Sequence, residues 1–226
     1  MLSIKEVSFS FGSKSVLKDI EMDFALGSVT GILGRNGTGK TTLFRVLTKI
    51  YNQQSGIFNL NGSPLKPEDI AFMSTDPFFY PYMKGMEYLQ IVANNDDELQ
   101  NATKVAHLLE LPLDLLVDNY STGMRKKLAF AAIFSLNKPV VILDEPYNGV
   151  DLESNEIIQS IIQRNHRHRI VIMSSHILST ITSTCDYVYL MTTDMPLQKF
   201  ESEQFNELDA LIKLSIEKKI DDFFGG

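Results

Sequence analysis

The sequence predicts an α/β protein built on a mostly parallel core sheet, with an antiparallel β subdomain at its N-terminus and a helical subdomain inserted midway. Three observations carry this expectation. Near the N-terminus, apolar residues recur at every second position. Two later runs, Val140-Val141-Ile142-Leu143 and Ile170-Val171-Ile172-Met173, are continuously apolar and flank a helix-like segment, Glu153 to Arg164. Between these regions, Pro77 to Leu136 has Leu, Met and Ala at helical spacing and few β-branched runs. A period of two marks a half-buried strand, and an uninterrupted apolar run marks one covered on both faces. A chain of 226 residues with 44% hydrophobic and 22% charged residues is ordinary globular composition for one domain.

The elements follow in order. Leu2 and Ile4, then Val7, Phe9 and Phe11, and after them Ile20, Met22 and Phe24 interleaved with Glu21 and Asp23, read as antiparallel strands. Ser28 to Leu33 is a short apolar strand running straight into Gly34-Arg35-Asn36-Gly37-Thr38-Gly39-Lys40. Thr41 to Ile50 then takes helical spacing through Leu43, Val46 and Leu47. Ile57 to Leu60 enters a tight turn at Asn61-Gly62, a pair that tolerates positive φ, and Ile70 to Met73 is a further strand. The insertion carries an Asn/Asp-rich loop at Asn94 to Asp97. Tyr187 to Met191 is one more strand, and Glu203 to Lys219 a terminal helix. The chain thus divides into a core of residues 1–76 and 137–200, a helical subdomain of 77–136 and a tail of 201–226.

Charge and composition remove several function classes. Lys plus Arg is 21 and Asp plus Glu is 28, a net −7, which is the wrong sign for a protein whose main partner is a polyanion, so no nucleic acid is expected. The lone Cys185 makes no internal disulfide and no charged-then-apolar leader follows Met1, which fits a reducing cytosol. The longest apolar stretch, Leu128 to Phe134, is far short of the roughly 20 residues that span a bilayer.

Four segments carry chemistry. Gly34-x-x-x-x-Gly39-Lys40-Thr41, between a strand and a helix, is a phosphate-binding P-loop: backbone N–H groups turn toward phosphate oxygens, and the helix N-terminus adds its positive dipole end. Lys40 suits the β- and γ-phosphates and Thr41 a magnesium ion. At the end of the Val140 strand, Asp144 is placed to reach the metal shell and Glu145 to accept a proton from an attacking water. Ser121 and Gly123, in Tyr120-Ser121-Thr122-Gly123-Met124, open the helix Arg125 to Leu136 as a second anion-binding helix start. His176, at the end of the Ile170 strand, emerges at the same sheet edge and suits a hydrogen bond to a γ-phosphate. Of the other histidines, His107 lies in a Leu-rich helix and His166 and His168 in a basic turn. No Cys/His metal spacing is present.

In this order the pieces resemble the nucleotide-binding subunit of an ATP-binding cassette (ABC) transporter, over nearly the whole chain from about Leu2 to Phe200. The resemblance implies a P-loop NTPase of the ABC ATPase type with ATP and Mg2+ as cofactors. Gly34 to Thr42 matches Walker A, which brings Arg35, Asn36, Gly37, Thr38 and Thr42 into the nucleotide contacts. Tyr120 to Met124 matches the signature loop, Val140 to Glu145 Walker B, Asn148-Gly149-Val150-Asp151 the D-loop, His176 the switch histidine and Phe11 the aromatic that stacks on adenine. It further implies a head-to-tail dimer, either of two copies or with a second cassette, in which each signature loop meets the γ-phosphate held by the other chain. A separate integral membrane permease is implied as partner, with this chain lying peripherally on the cytoplasmic face of the cell membrane. The stretch Met124-Arg125-Lys126-Lys127 and the Ser174-Ser175-His176 segment with Ile177-Leu178 resemble small exporter cassettes.

The sequence departs from the family at two places. Thr75 stands where the family usually has a metal-reaching Gln and is carried over with Thr41 and Asp144 as a metal residue, although its hydroxyl is shorter and is not expected to reach the ion as a glutamine does. Tyr120 and Thr122 replace the common Leu and second Gly of the signature. A soluble cassette protein acting on a ribosome or an assembly complex is the alternative function. A GTPase is disfavoured because Asn137-Lys138-Pro139-Val140 lacks the Asp that accepts from guanine. The aromatic run Pro77-Phe78-Phe79-Tyr80-Pro81-Tyr82 is expected either to fill the core between subdomains or to dock a short helix of the permease.

Overall fold

The structure is a computed structural model that describes residues 1–193 and 195–224. In chain order it contains β1 (Leu2–Phe11), β2 (Lys14–Phe24), β3 (Val29–Leu33), α1 (Lys40–Leu47), β4 (Ser55–Leu60), β5 (Ser63–Pro64) and β6 (Ile70–Met73). The helices α2 (Gly85–Val92), α3 (Asp96–Leu108) and α4 (Thr122–Phe134) follow, then β7 (Val140–Asp144), α5 (Leu152–Asn165), β8 (Ile170–Ser175), α6 (Leu178–Thr182), β9 (Tyr187–Leu190), β10 (Gln198–Glu201) and α7 (Phe205–Phe224).

Two sheets form. The smaller is antiparallel, in the order β2-β1-β4-β5; the larger runs β10-β9-β3-β8-β7-β6 and is parallel except for the edge strand β10. Alternation in the larger sheet sorts side chains to two cores. Val29, Leu33, Val141, Leu143, Val171, Met173, Val188 and Leu190 face the core that includes α4 and the helical subdomain. Ile32, Val140, Ile142, Ile170, Ile172, Tyr187 and Tyr189 face the core that includes α1 and the antiparallel sheet. Both faces are buried, so these strands read as continuous apolar runs. The Tyr187 hydroxyl accepts from the Ala25 N–H and that of Tyr189 from the Asp23 N–H, each at 3.0 Å, which ties the end of β2 to the parallel sheet.

The change of parity from Leu2 and Ile4 to Val7, Phe9 and Phe11 has a cause. The β1/β2 register shifts between Ile4 and Val7, and Glu6 within that step is left-handed at φ 52°. A bulge of this kind inserts a residue and restores the apolar face that a strict alternation would have turned outward. Phe11 ends the strand exposed, edge-on to Phe9 and Tyr51.

Several expected boundaries move. The α1 helix ends at Leu47 rather than Ile50, and the tail helix begins at Phe205 after a single turn at Ser202–Gln204, with the unexpected strand β10 before it. The short helix α6 was also not foreseen. Gly225 and Gly226 of the expected tail lie outside the described residues. Tyr120, in place of the family's leucine, is buried; its hydroxyl donates to the Pro112 carbonyl at 2.8 Å. Among the described residues no helix is long and apolar enough to cross a membrane.

The α5 helix shows how a loop acid is fixed. Asp151 is its N-cap, accepting from the Ser154 N–H at 2.9 Å and the Ser154 hydroxyl at 2.8 Å. These two bonds, the backbone one foremost, lower its pKa from 3.8 to about 2. A depressed acid stabilises the fold above its unfolded value, and the contribution disappears as pH falls through the folded value. Asp151→Asn keeps a capping oxygen but does not titrate. The stability gap between wild type and Asp151→Asn in urea titrations is therefore expected to be constant above about pH 4 and to shrink as the pH falls toward about 2. A gap independent of pH would contradict this account.

Candidate functional site

The parallel order brings the C-terminal ends of β3, β6, β7 and β8 to one edge, where open α/β sheets bind ligands. The loop after β3 turns back sharply. The Gly34 N–H donates to the Ser175 carbonyl at 3.2 Å, the Thr38 hydroxyl donates to the Arg35 carbonyl at 3.0 Å, and Gly39 adopts φ 105°, which a residue with a Cβ rarely enters. The α1 helix starts immediately afterwards with no side-chain cap and no acid in its first turn. Its first N–H groups and its dipole are thus presented to the loop. Lys40 is buried, and its ammonium folds back onto the Gly34 carbonyl at 2.7 Å and the Arg35 carbonyl at 3.4 Å.

Asp144, at the end of β7, is fully buried and gathers three hydroxyls. Thr41 donates to its Oδ2 at 2.7 Å, Thr75 to the same oxygen at 2.6 Å and Ser174 to its Oδ1 at 2.5 Å. Thr75 therefore reaches this carboxylate despite its short side chain. Hydroxyl and carboxylate oxygens are the hard donors that a small divalent cation takes, and a magnesium ion bound with a nucleotide draws its remaining ligands from phosphate and water. The described residues contain no group of three or more His, Cys, Asp or Glu that could hold a metal by themselves.

Glu145, the next residue, is held in an unusual pose. It lies at φ 52°, a left-handed conformation that costs a non-glycine residue energy unless its surroundings impose it. Its N–H donates to Ser174 Oγ at 3.0 Å, and its carbonyl accepts from the buried Lys126 ammonium at 2.9 Å. Burial pulls the Lys126 ammonium below the usual lysine value, while the charges of Glu145, Asp144 and Asp76 act the other way. The carboxylate's Oε2 lies 2.9 Å from His176 Nδ1 and its Oε1 3.5 Å from Lys40 Nζ. Oε1 is buried and has no hydrogen-bond partner. An acceptor in that position is suited to take a proton from a water molecule.

A cavity of about 970 Å3 collects most of the expected residues: Phe11, Asn36 to Thr42, Thr75, Glu145 and His176 all line it. Asp144 lies behind it, linked through Thr41 and Thr75. Gly34 and Arg35 form the loop's entry. Ser121, Gly123 and Asp151 are not brought into this cavity. Ser121 Oγ caps α4 by accepting from the Met124 N–H at 3.2 Å, and Asp151 lies 3.5 Å from Lys127. A Cβ at Gly123 would stand 2.6 Å from the Gly149 carbonyl, so this glycine is required by close contact with its own chain's D-loop. Asn137 and Lys138 precede β7, at the opposite end of the strand from Asp144, and Asn137 is bonded to Glu98. That placement removes the guanine-reading alternative.

Two residues escaped the sequence reading. Ser174 was noticed only as part of a segment, although a hydroxyl ending an apolar strand beside His176 was a usable signal. Lys126 figures in the sequence only within the exporter-like stretch Met124 to Lys127, although it precedes Phe130 by four residues on a helix otherwise apolar on that face.

Comparison with known proteins gives a consistent result. The sequence profile of the family described as ABC transporter matches residues 17–148. An uncharacterized ABC transporter ATP-binding protein, YdbJ of Bacillus subtilis, is 31% identical over 204 residues, covering 84% of this chain and 66% of that protein, so the chain spans just under two thirds of this relative's length. The ABC transporter ATP-binding protein YtrB of Bacillus subtilis is 24% identical over 97% of this chain and 78% of its own length. Among solved structures, an ATP binding subunit of an ABC transporter superposes with a TM-score of 0.85 at 20% identity, covering 96% of this chain and 98% of that one. A bacterial Atm1-family ABC exporter with ATP bound gives a TM-score of 0.84 at 20% identity, covering 96% of this chain and 41% of that one.

Proposed function

The chain belongs to the ABC transporter family, and from that membership we propose that it is the ATP-hydrolysing subunit that powers a separate membrane permease on the cytoplasmic face of a membrane, working as an exporter. The observation that carries the ATPase role is the convergence of Lys40, Glu145 and His176 on one cavity, with the Oε1 of Glu145 left without a hydrogen-bond partner.

In this role Phe11 stacks on the adenine ring, and the backbone of Gly34 to Thr42 with the α1 N-terminus binds the phosphates. Lys40 exchanges its two loop carbonyls for β- and γ-phosphate oxygens. Glu145 Oε1 accepts a proton as a water oxygen bonds to the γ-phosphorus and the bond to the ADP oxygen breaks. His176, held by Glu145 through Nδ1, keeps its other ring nitrogen for a γ-phosphate oxygen. Magnesium supplies charge neutralisation on the phosphates when bound, and Thr41, Asp144 and Thr75 are the side chains that would hold it. Ser121, Gly123 and Asp151 stand outside the cavity, which supports a role for them against the nucleotide of a second cassette in a head-to-tail dimer.

Export is supported by a relative described as an ATP-dependent lipid A-core flippase in Vibrio vulnificus, 27% identical over 80% of this chain and 34% of that protein. The permease is supported by the aromatic run. Phe78, Tyr80 and Tyr82 are exposed, whereas Phe79 is partly buried, packing on Tyr88 at a ring separation of 4.6 Å and against the core. Exposed aromatics of this kind anchor protein interfaces.

Two experiments test these roles. ATP turnover is expected to fall by about two orders of magnitude or more in both Lys40→Ala and Glu145→Gln, with ATP affinity lost in the first and kept in the second, which should elute as an ATP-bound dimer. Normal turnover in either variant would contradict the assignment of that residue. For the partner, an integral membrane protein is expected to co-purify with the wild-type chain and to be lost on changing Phe78, Tyr80 and Tyr82 together to Ser, with ATP affinity and melting temperature nearly unchanged. Co-purification with ribosomes or an assembly complex instead would overturn the permease role.

A further inference from the structure

We infer that Lys126 is a positioning residue for ATP hydrolysis, holding the backbone of Glu145 so that its carboxylate faces the attacking water. The inference rests on the ATPase role proposed above and assigns a residue that this role did not need.

The geometry is specific. Lys126 is only 4% exposed, and its ammonium donates to the Glu145 carbonyl rather than to any carboxylate. A lysine taken out of water needs partners, and a single main-chain carbonyl is a poor one unless that carbonyl must be held. Glu145 supplies the reason. Its left-handed backbone at φ 52° is a conformation that relaxes unless both flanking peptide groups are fixed. Ser174 Oγ fixes the N–H and Lys126 fixes the carbonyl. Between these two clamps the side chain is aimed at His176 on one oxygen and toward Lys40 on the other. Without the ammonium, rotation about the Glu145 backbone swings the carboxylate off this line.

The residue also comes from a different subdomain than the base it holds. Lys126 lies on α4, one turn beyond the Ser121 cap, whereas Glu145 ends a strand of the core sheet. A shift of α4 driven by a ligand at Ser121 would move the Glu145 carbonyl directly. Lys126 thus gives the helical subdomain a physical connection to the catalytic carboxylate of the same chain.

The test uses Lys126→Met, which keeps the stem and removes the donor, and Lys126→Arg, which restores one. In Lys126→Met, kcat is expected to fall about tenfold to a hundredfold while the KM for ATP and the ATP dissociation constant stay within about twofold, because only the base is misplaced. Lys126→Arg is expected to recover much of the lost kcat. A purely structural lysine would instead lower melting temperature with kcat per folded molecule unchanged. Wild-type kcat in Lys126→Met, or no recovery in Lys126→Arg, overturns the inference. Should the Met variant not fold, Lys126→Gln, whose amide ends short of the carbonyl, is expected to show the same selective loss of kcat, and a wild-type rate there overturns the inference equally. Absence of hydrolysis by the wild-type protein overturns the ATPase role as well, an outcome distinct from either result with the variants.

Discussion

A fully buried carboxylate, Asp144, accepts hydrogen bonds from Thr41, Thr75 and Ser174, and the geometry of the whole site follows from that requirement. An ionised group removed from water is tolerated only when its lone pairs are occupied. Satisfying this one draws together the first turn of α1, the loop after β6 and the end of β8, three segments with no sequence proximity. The P-loop is thereby set beside Glu145, and Ser174, while donating to Asp144, is also placed to accept from the Glu145 N–H. A structural need of the core and the assembly of the site are met by the same hydrogen bonds.

The double-sided burial of the parallel sheet explains why such a node is rigid. The strands that end at the site have apolar neighbours on both faces, so their C-terminal ends have little freedom to splay. The loops that follow them are where the unusual conformations collect: Glu145, at φ 52°, directly follows β7, and Gly39, at φ 105°, ends the loop after β3 and immediately precedes α1. Strain of this sort persists only where surrounding packing and hydrogen bonds over-determine the backbone. Here the surroundings are Ser174 on one side of Glu145 and Lys126 on the other.

Most of the fold was legible because its signals are local. The continuous apolar runs of β7 and β8, the period of β1 and the glycines before α1 each report a single element, and each lies where expected. The register shift in β1 was visible as a change of parity but not interpretable until Glu6 was seen in a left-handed conformation. The edge strand β10 gave little sign, since Gln198-Lys199-Phe200-Glu201 places one buried side chain among partly or fully exposed ones. In the site, motif residues were legible by spacing, whereas Ser174 and Lys126 act through the main chain of Glu145. Contacts to a backbone group leave no sequence pattern at the partner, because every residue offers the same carbonyl and N–H. Thr75 shows the converse. Its replacement of the family's Gln was visible at once, but that its hydroxyl shares Asp144 Oδ2 with Thr41 required the three-dimensional arrangement.

The most direct test of the account is the ATP turnover rate of Asp144→Asn. The asparagine amide matches the carboxylate in size but replaces one acceptor oxygen with a donor nitrogen, so it cannot accept from Thr41, Thr75 and Ser174 together. With the node unsatisfied, turnover is expected to drop by about two orders of magnitude or more, as a displacement near 1 Å at a reacting group does. Turnover in Asp144→Asn equal to that of the wild-type protein would contradict the claim that this carboxylate assembles the site.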